Sequence, residues 1–88
     1  MNIEHTNHVG HRLVVDSTTF HERVGRDPDR HEIRDWVFSY DSGVQGRKWF
    51  HSQPGSTYEQ SISQLFRWFR NWNASPTLTF TVGTLDES

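Results

Sequence analysis

Cysteine is absent from the 88 residues. That excludes disulfides, thiolate metal sites and a thiol nucleophile, and it suits a cytoplasmic protein. No window approaches the roughly 18 consecutive apolar residues of a membrane-spanning helix, so no membrane association is expected. The opening "MNIEHTNHVGH" lacks a charged-then-apolar pattern, and no secretion signal is expected from it. A basic excess is also missing. Nine Lys and Arg meet eleven Asp and Glu, for a formal net charge of −2. Nucleic-acid-binding modules draw much of their affinity from neutralising phosphates, so this balance weighs against that class. Repeats and low-complexity runs are absent, and there is room for one core. The expectation is a single domain over 1–88, with 1–8 and 85–88 as flexible tails.

Aromatic side chains are plentiful: four Trp, six Phe and two Tyr. Each can bury roughly 150–250 Å², so the core should be built on rings with a few aliphatic fillers. "GSTYEQ" offers Ser56 and, three residues on, Glu59, the spacing of a capping box. Tyr58, Ile62, Leu65, Phe66, Phe69 and Trp72 then recur at helical spacing and form one stripe, with Trp68 at its edge. Pro76 prevents continuation. These signals predict one helix over about 57–73.

Strand signals surround it. Leu78, Phe80 and Val82 alternate with Thr77, Thr79 and Thr81, the pattern of a strand with one wet face. Trp36, Phe38 and Tyr40 alternate ahead of the turn residues "DSGVQG", and "RKWFHS" returns, which reads as a hairpin. An earlier strand lies around 13–15, and a second is expected near 19–24. Residues 27–35 read as a loop leading into a strand; the alternative is a short helix, since Asp27 before Pro28 is a helix start and Ile33, Trp36 and Val37 fit helical spacing. The expected fold is α+β: an antiparallel sheet of four or five strands with one helix on one face, order β(β)ββαβ. If the other face carries Val14, Val37 and Trp49 it needs a cover, which a homodimer would supply.

Chemical motifs are few. There is no Gly-rich phosphate loop and no serine elbow. Asp16, Ser17 and His21 lie too close together in sequence to converge as a hydrolytic trio. His5, His8 and His11 recur every third residue and are the candidates for metal ligation. That spacing does not hold three side chains on one helical face, so no metal is expected. No cofactor and no catalytic site are expected, and the chain reads as a non-enzymatic protein, with a small metal-dependent or hydrolytic protein using the histidines as the third-ranked reading.

Two sets of residues could instead meet a partner. One is acidic: Asp27, Asp29, Glu32, Asp35 and Asp41, with Asp86 and Glu87 at the end of the chain. The other is aromatic and basic: Trp36, Arg47, Lys48, Trp49, Arg67, Trp68 and Arg70. The stretch from Trp49 through "STYEQSISQLFRWF" resembles the strand, Ser/Thr-capped loop and aromatic helix of some phage-encoded inhibitors of the anti-CRISPR kind. The resemblance implies a protein that binds a host protein complex in the cytoplasm and blocks its working surface. Acidic groups would stand in for phosphates and rings would act as anchors. The segment Trp36 to Trp72 also resembles, in its ββα order, the arm-type DNA-binding domains of phage integrases and the plant AP2 domains. That alternative implies a nucleic-acid partner met by Arg47, Lys48, Trp49, Arg67 and Arg70.

Overall fold

The computed structural model describes residues 2–85. In chain order the elements are β1 (Asn2–Thr6), β2 (Arg12–Asp16), α1 (Thr18–Val24), β3 (Ile33–Arg34), β4 (Trp36–Asp41), β5 (Arg47–His51), β6 (Ser56–Thr57), α2 (Tyr58–Phe69) and β7 (Thr77–Thr84). Five strands form the main sheet in the order β1-β2-β7-β4-β5, and β3 pairs with β6 beside it. The fold is α+β, as expected. Among the described residues no helix is long and apolar enough to cross a membrane.

The sheet is mixed rather than antiparallel. β7 pairs antiparallel with β4 but parallel with β2, setting Leu13 beside Leu78 and Val15 beside Phe80. The chain between β2 and β7 carries both helices and the β4–β5 hairpin, long enough for a crossover. Alternation along β7 reports one covered face and carries no information on the direction of its neighbours.

There are two helices, not one. Residues 19–24, expected as a strand, lie in α1. The Asp16 carboxylate accepts from the Thr18 backbone N–H at 2.9 Å and from its hydroxyl at 2.6 Å, which starts the helix. Gly25 ends it at φ 91°, its N–H donating to the His21 carbonyl. Phe20 is the only buried residue of this helix, so no apolar repeat announces it.

α2 is shorter than expected, ending at Phe69, and its capping box sits one residue later. Thr57 accepts from the Gln60 N–H at 3.1 Å while the Gln60 side chain accepts from the Thr57 N–H at 3.0 Å. The sequence satisfies the same motif in both frames. Ser56 instead donates to the Gln53 carbonyl.

The first expected tail contains β1, paired along its length with β2. Ile3 packs against the core and His5 on Phe66. One apolar residue in five leaves no visible alternation. Of the second tail, residues 86–88, with the acidic candidates Asp86 and Glu87, lie outside the described residues. Residues 27–35 are a loop that ends in the two-residue β3, in keeping with the expectation.

One face of the sheet packs on α2. Leu13, Val15, Phe38, Phe80 and Val82 meet Leu65 and Phe69 there, all of them buried. Phe20 from α1 closes one end against Trp36, with ring centroids 5.6 Å apart. The other end is closed by Asn7. Its side-chain amide donates to the Trp72 carbonyl at 3.0 Å and lies 3.3 Å from that of Phe69. Its Oδ1 accepts from the N–H groups of Val9 and His11. One buried amide thus meets the carbonyl of the last α2 residue and one in the turn that follows it, and shapes the β1–β2 loop. Asn7→Ala should lower stability by about 2 kcal/mol, since it strands buried polar groups at both places. Chemical denaturation measures this directly; a loss near zero would show that water replaces the amide.

Candidate functional site

The acidic candidates are held within the chain. Glu32 is only 12% exposed at its side chain. It accepts from Arg26 at 2.7 Å and from the Asp29 N–H at 3.2 Å, and it pairs with Arg34 through its other oxygen. Hydrogen bonding from Arg26, opposed in part by burial, holds its carboxyl down to about 2. The Glu32 carbonyl accepts from the Trp36 indole and the Tyr58 N–H. Asp27 accepts from the Ser17 hydroxyl at 3.2 Å. Asp29 accepts from the His31 N–H, and Asp41 from the Gly43 N–H in the hairpin turn. Of this set Asp35 has an exposed side chain for which no such bond is seen. These carboxylates staple a loop and a turn, which leaves them poorly placed to imitate a phosphate row.

The aromatic and basic candidates divide among different surfaces. Trp36, expected at the surface, is 0% exposed, enclosed by Phe20 and Tyr58. It alternates with Val37 and so shares the helix-side face with Phe38 and Tyr40, which puts its ring in the core. Trp68 is 38% exposed and lies over Phe50, Tyr40 and Trp72, sealing the helix side of the core. Arg67 on α2 and Arg70 at its C-terminal cap are exposed. Lys48 alternates with Trp49 and so belongs to the helix-side face of β5. Five residues that the DNA-binding alternative needs together are therefore not on one face.

Arg47 and Trp49 do share a face, the sheet's open one. Arg47 donates to the Ser39 hydroxyl at 3.1 Å. Trp49 stands opposite Ser39 in the β4–β5 register and is 57% exposed. Val14 and Val37 lie on this face too, as expected, but Val37 is already buried within the chain and only Trp49 of the three is exposed. Trp49 and His51 form one wall of a groove of about 500 Å³ floored by Val37, Thr81 and Gly83, with Thr19 and Arg23 of α1 opposite. β5 is the last strand of the sheet, so its outer edge presents unpaired backbone groups. Charge on the open face is mixed: Arg12 pairs with Glu4 at 3.7 Å, and Asp41 stands opposite Arg47. A duplex would meet no continuous positive field there.

The histidines do not converge. His5 stacks on Phe66 with centroids 4.4 Å apart. His11 Nδ1 lies 3.2 Å from the Trp72 carbonyl. His8 is exposed in the loop between them. Among the described residues no three His, Cys, Asp or Glu are grouped to hold a metal ion. Ser17 and His21 both address the same oxygen of Asp27, at 3.2 and 3.3 Å. The imidazole therefore does not stand between hydroxyl and carboxylate, as a nucleophilic triad requires.

The chain matches no protein-family model, no curated protein and no solved structure. Its own surface chemistry is what bears on function.

Two features of that surface escape a reading of the sequence. Asn7 looks like any polar residue in a polar stretch, and only the fold brings it to the end of α2. The β1–α2 cleft joins His5 and His8 from one end of the chain to Arg67 and Arg70 near the other. No local spacing announces such a meeting.

Proposed function

We propose that this protein is a non-enzymatic binding protein whose partner is another protein, docked along the outer edge of β5 and the open sheet face. The observation that carries this reading is Trp49: a large ring more than half exposed, at the centre of an edge strand, beside a groove with an apolar floor. Tryptophan is enriched among residues that dominate interface energies. An unpaired strand edge accepts an extended segment through main-chain hydrogen bonds. Arg47 shares the open face with the ring and Lys48 precedes it on the same edge strand, so an acidic segment fits best. In the version suggested by the resemblance to phage inhibitors, the partner belongs to a host complex in the cytoplasm. The protein would then act stoichiometrically by covering a working surface.

Trp49→Ala separates binding from folding. Its effect on stability should stay within about 0.5 kcal/mol, as for surface changes in general. Partner affinity should fall by about 30-fold or more, the cost of truncating a central Trp anchor. Tagged wild-type and variant chains purified side by side from the expressing host give the comparison. Wild type should retain one discrete protein in stoichiometric amount, and the variant should not. Equal retention by both, or recovery of nothing but further copies of the same chain, would refute the reading.

A further inference from the structure

We propose that the cleft between β1 and α2 binds a small organic phosphate, with the phosphoryl group among His5, His8, Arg67 and Arg70. This cleft lies away from Trp49 and is independent of the protein-docking reading. Arg67 in α2 and Arg70, which caps its C-terminal end in helical conformation, are three residues apart, close enough to address one ligand. His5 comes from β1, its ring held flat on Phe66 at an interplanar angle of 14°. His8 rides on the loop that Asn7 ties to the end of α2. Together with Thr6 and Ser63 these side chains line a cavity of about 550 Å³.

The cleft stands out for what its cations lack. Arg12, Arg26, Arg30 and Arg34 each lie within ion-pair reach of a carboxylate. No such ion pair or side-chain hydrogen bond is seen for Arg67 or Arg70 among the described residues, and no carboxylate lines the cavity. An anion entering it therefore displaces only water. Guanidinium groups present forked donors that match phosphate oxygens, and the imidazoles add further N–H groups.

The shape says more about the ligand. Phe66 and Ser63 are shared with an adjoining cavity of about 430 Å³, which Ile3, Tyr58 and Ile62 also line. A charged head in the first cavity would place an attached ring or short chain over those apolar side chains. Both volumes suit a small molecule. Two carboxylates line the second cavity, Asp27 and Glu59, against one cation, Arg30, which pairs with Glu59, so a longer polyanion would meet no continuous positive track there.

Phenyl phosphate is a suitable probe, titrated into the full chain and followed by backbone and side-chain amide NMR shifts, with inorganic phosphate and phenol run alongside. Saturable shifts should centre on His5, His8, Ser63, Phe66, Arg67 and Arg70. Phenyl phosphate should bind more tightly than either fragment. The pair Arg67→Gln and Arg70→Gln should weaken it by about tenfold or more, the loss expected for charge-assisted hydrogen bonds. Ser63→Glu, at an exposed position on the shared wall, should abolish it by placing a carboxylate in the cleft. Arg47→Gln, on the far side of the sheet, should leave it unchanged, which separates a site from a general charge effect. The proposal fails if phenyl phosphate does not saturate by about 10 mM. It also fails if phenol binds as well, if Arg47→Gln weakens binding equally, or if an oligonucleotide binds more tightly in proportion to its length.

Discussion

Trp36→Ala should remove a large share of the stability of the fold. Removal of a fully buried Trp costs about 3–5 kcal/mol, and domains of this kind hold only about 5–15 kcal/mol in total. Trp36 combines three roles. Its ring fills the space between Phe20 and Tyr58. Its indole N–H donates to the Glu32 carbonyl at 3.2 Å. Its own carbonyl accepts from the Ser52 hydroxyl and N–H. The alanine variant keeps the last of these and loses the first two. In urea the midpoint should fall by about 2 M, taking a slope near 2 kcal/mol per M. Trp36→Phe retains most of the ring and should lose about 1–2 kcal/mol, chiefly for the missing indole donor. A shift below about 1 kcal/mol for Trp36→Ala would contradict the enclosed position of this side chain. Set beside Trp49→Ala, this pair separates two tryptophans that look alike in sequence: one holds the domain together and one faces outward.

Glu32→Gln should cost about 2 kcal/mol at neutral pH, and the cost should disappear in acid. The Glu32 carboxyl is held at about 2 against an ordinary 4.5, so the folded chain binds this proton less readily than the unfolded one. Its contribution to stability is therefore complete above about pH 4.5 and is lost as pH falls from there through about 2. A fully dry pair would give about 3 kcal/mol; Arg26 is half exposed, so water screening reduces the figure. The measurement is denaturant unfolding of both chains across that acid range. Wild type should lose stability with falling pH faster than the variant, and the two curves should converge. Parallel curves would show that the Arg26–Glu32–Arg34 cluster adds nothing to the fold.

Much of the architecture was legible because it rests on periodicity. Tyr58, Ile62, Leu65 and Phe69 repeat often enough to mark α2, and all four are buried. Alternation marked β7 and the β4–β5 hairpin, and it put Val14, Val37 and Trp49 on one face. Features resting on few or distant residues were not legible. α1 buries one side chain, and β1 carries one apolar residue in five. The parallel pairing of β2 with β7 depends on where the crossover leads, which no window of sequence contains. At the candidate sites, the acidic run "RDPDRHEIRD" resembled an exposed patch. Its pairing with Arg26, Arg34, Ser17 and backbone N–H groups appears only when the loop is folded. Trp36 and Trp49 differ in burial because they lie on opposite faces of the sheet: Trp36 points with Phe38 and Tyr40 into the core, whereas Trp49 stands opposite Ser39 on the open face.

The central claim is that partners meet the β5 edge and the open face around Trp49, while the acidic loop serves the fold. Site-specific photocrosslinking in the expressing host tests it most directly. A photoreactive phenylalanine analogue would replace Trp49, Asp29 or Asn71 in separate chains. Position 49 should yield one discrete adduct with another protein, and positions 29 and 71 should yield none. An adduct formed from Asp29 with none from position 49 would contradict the account.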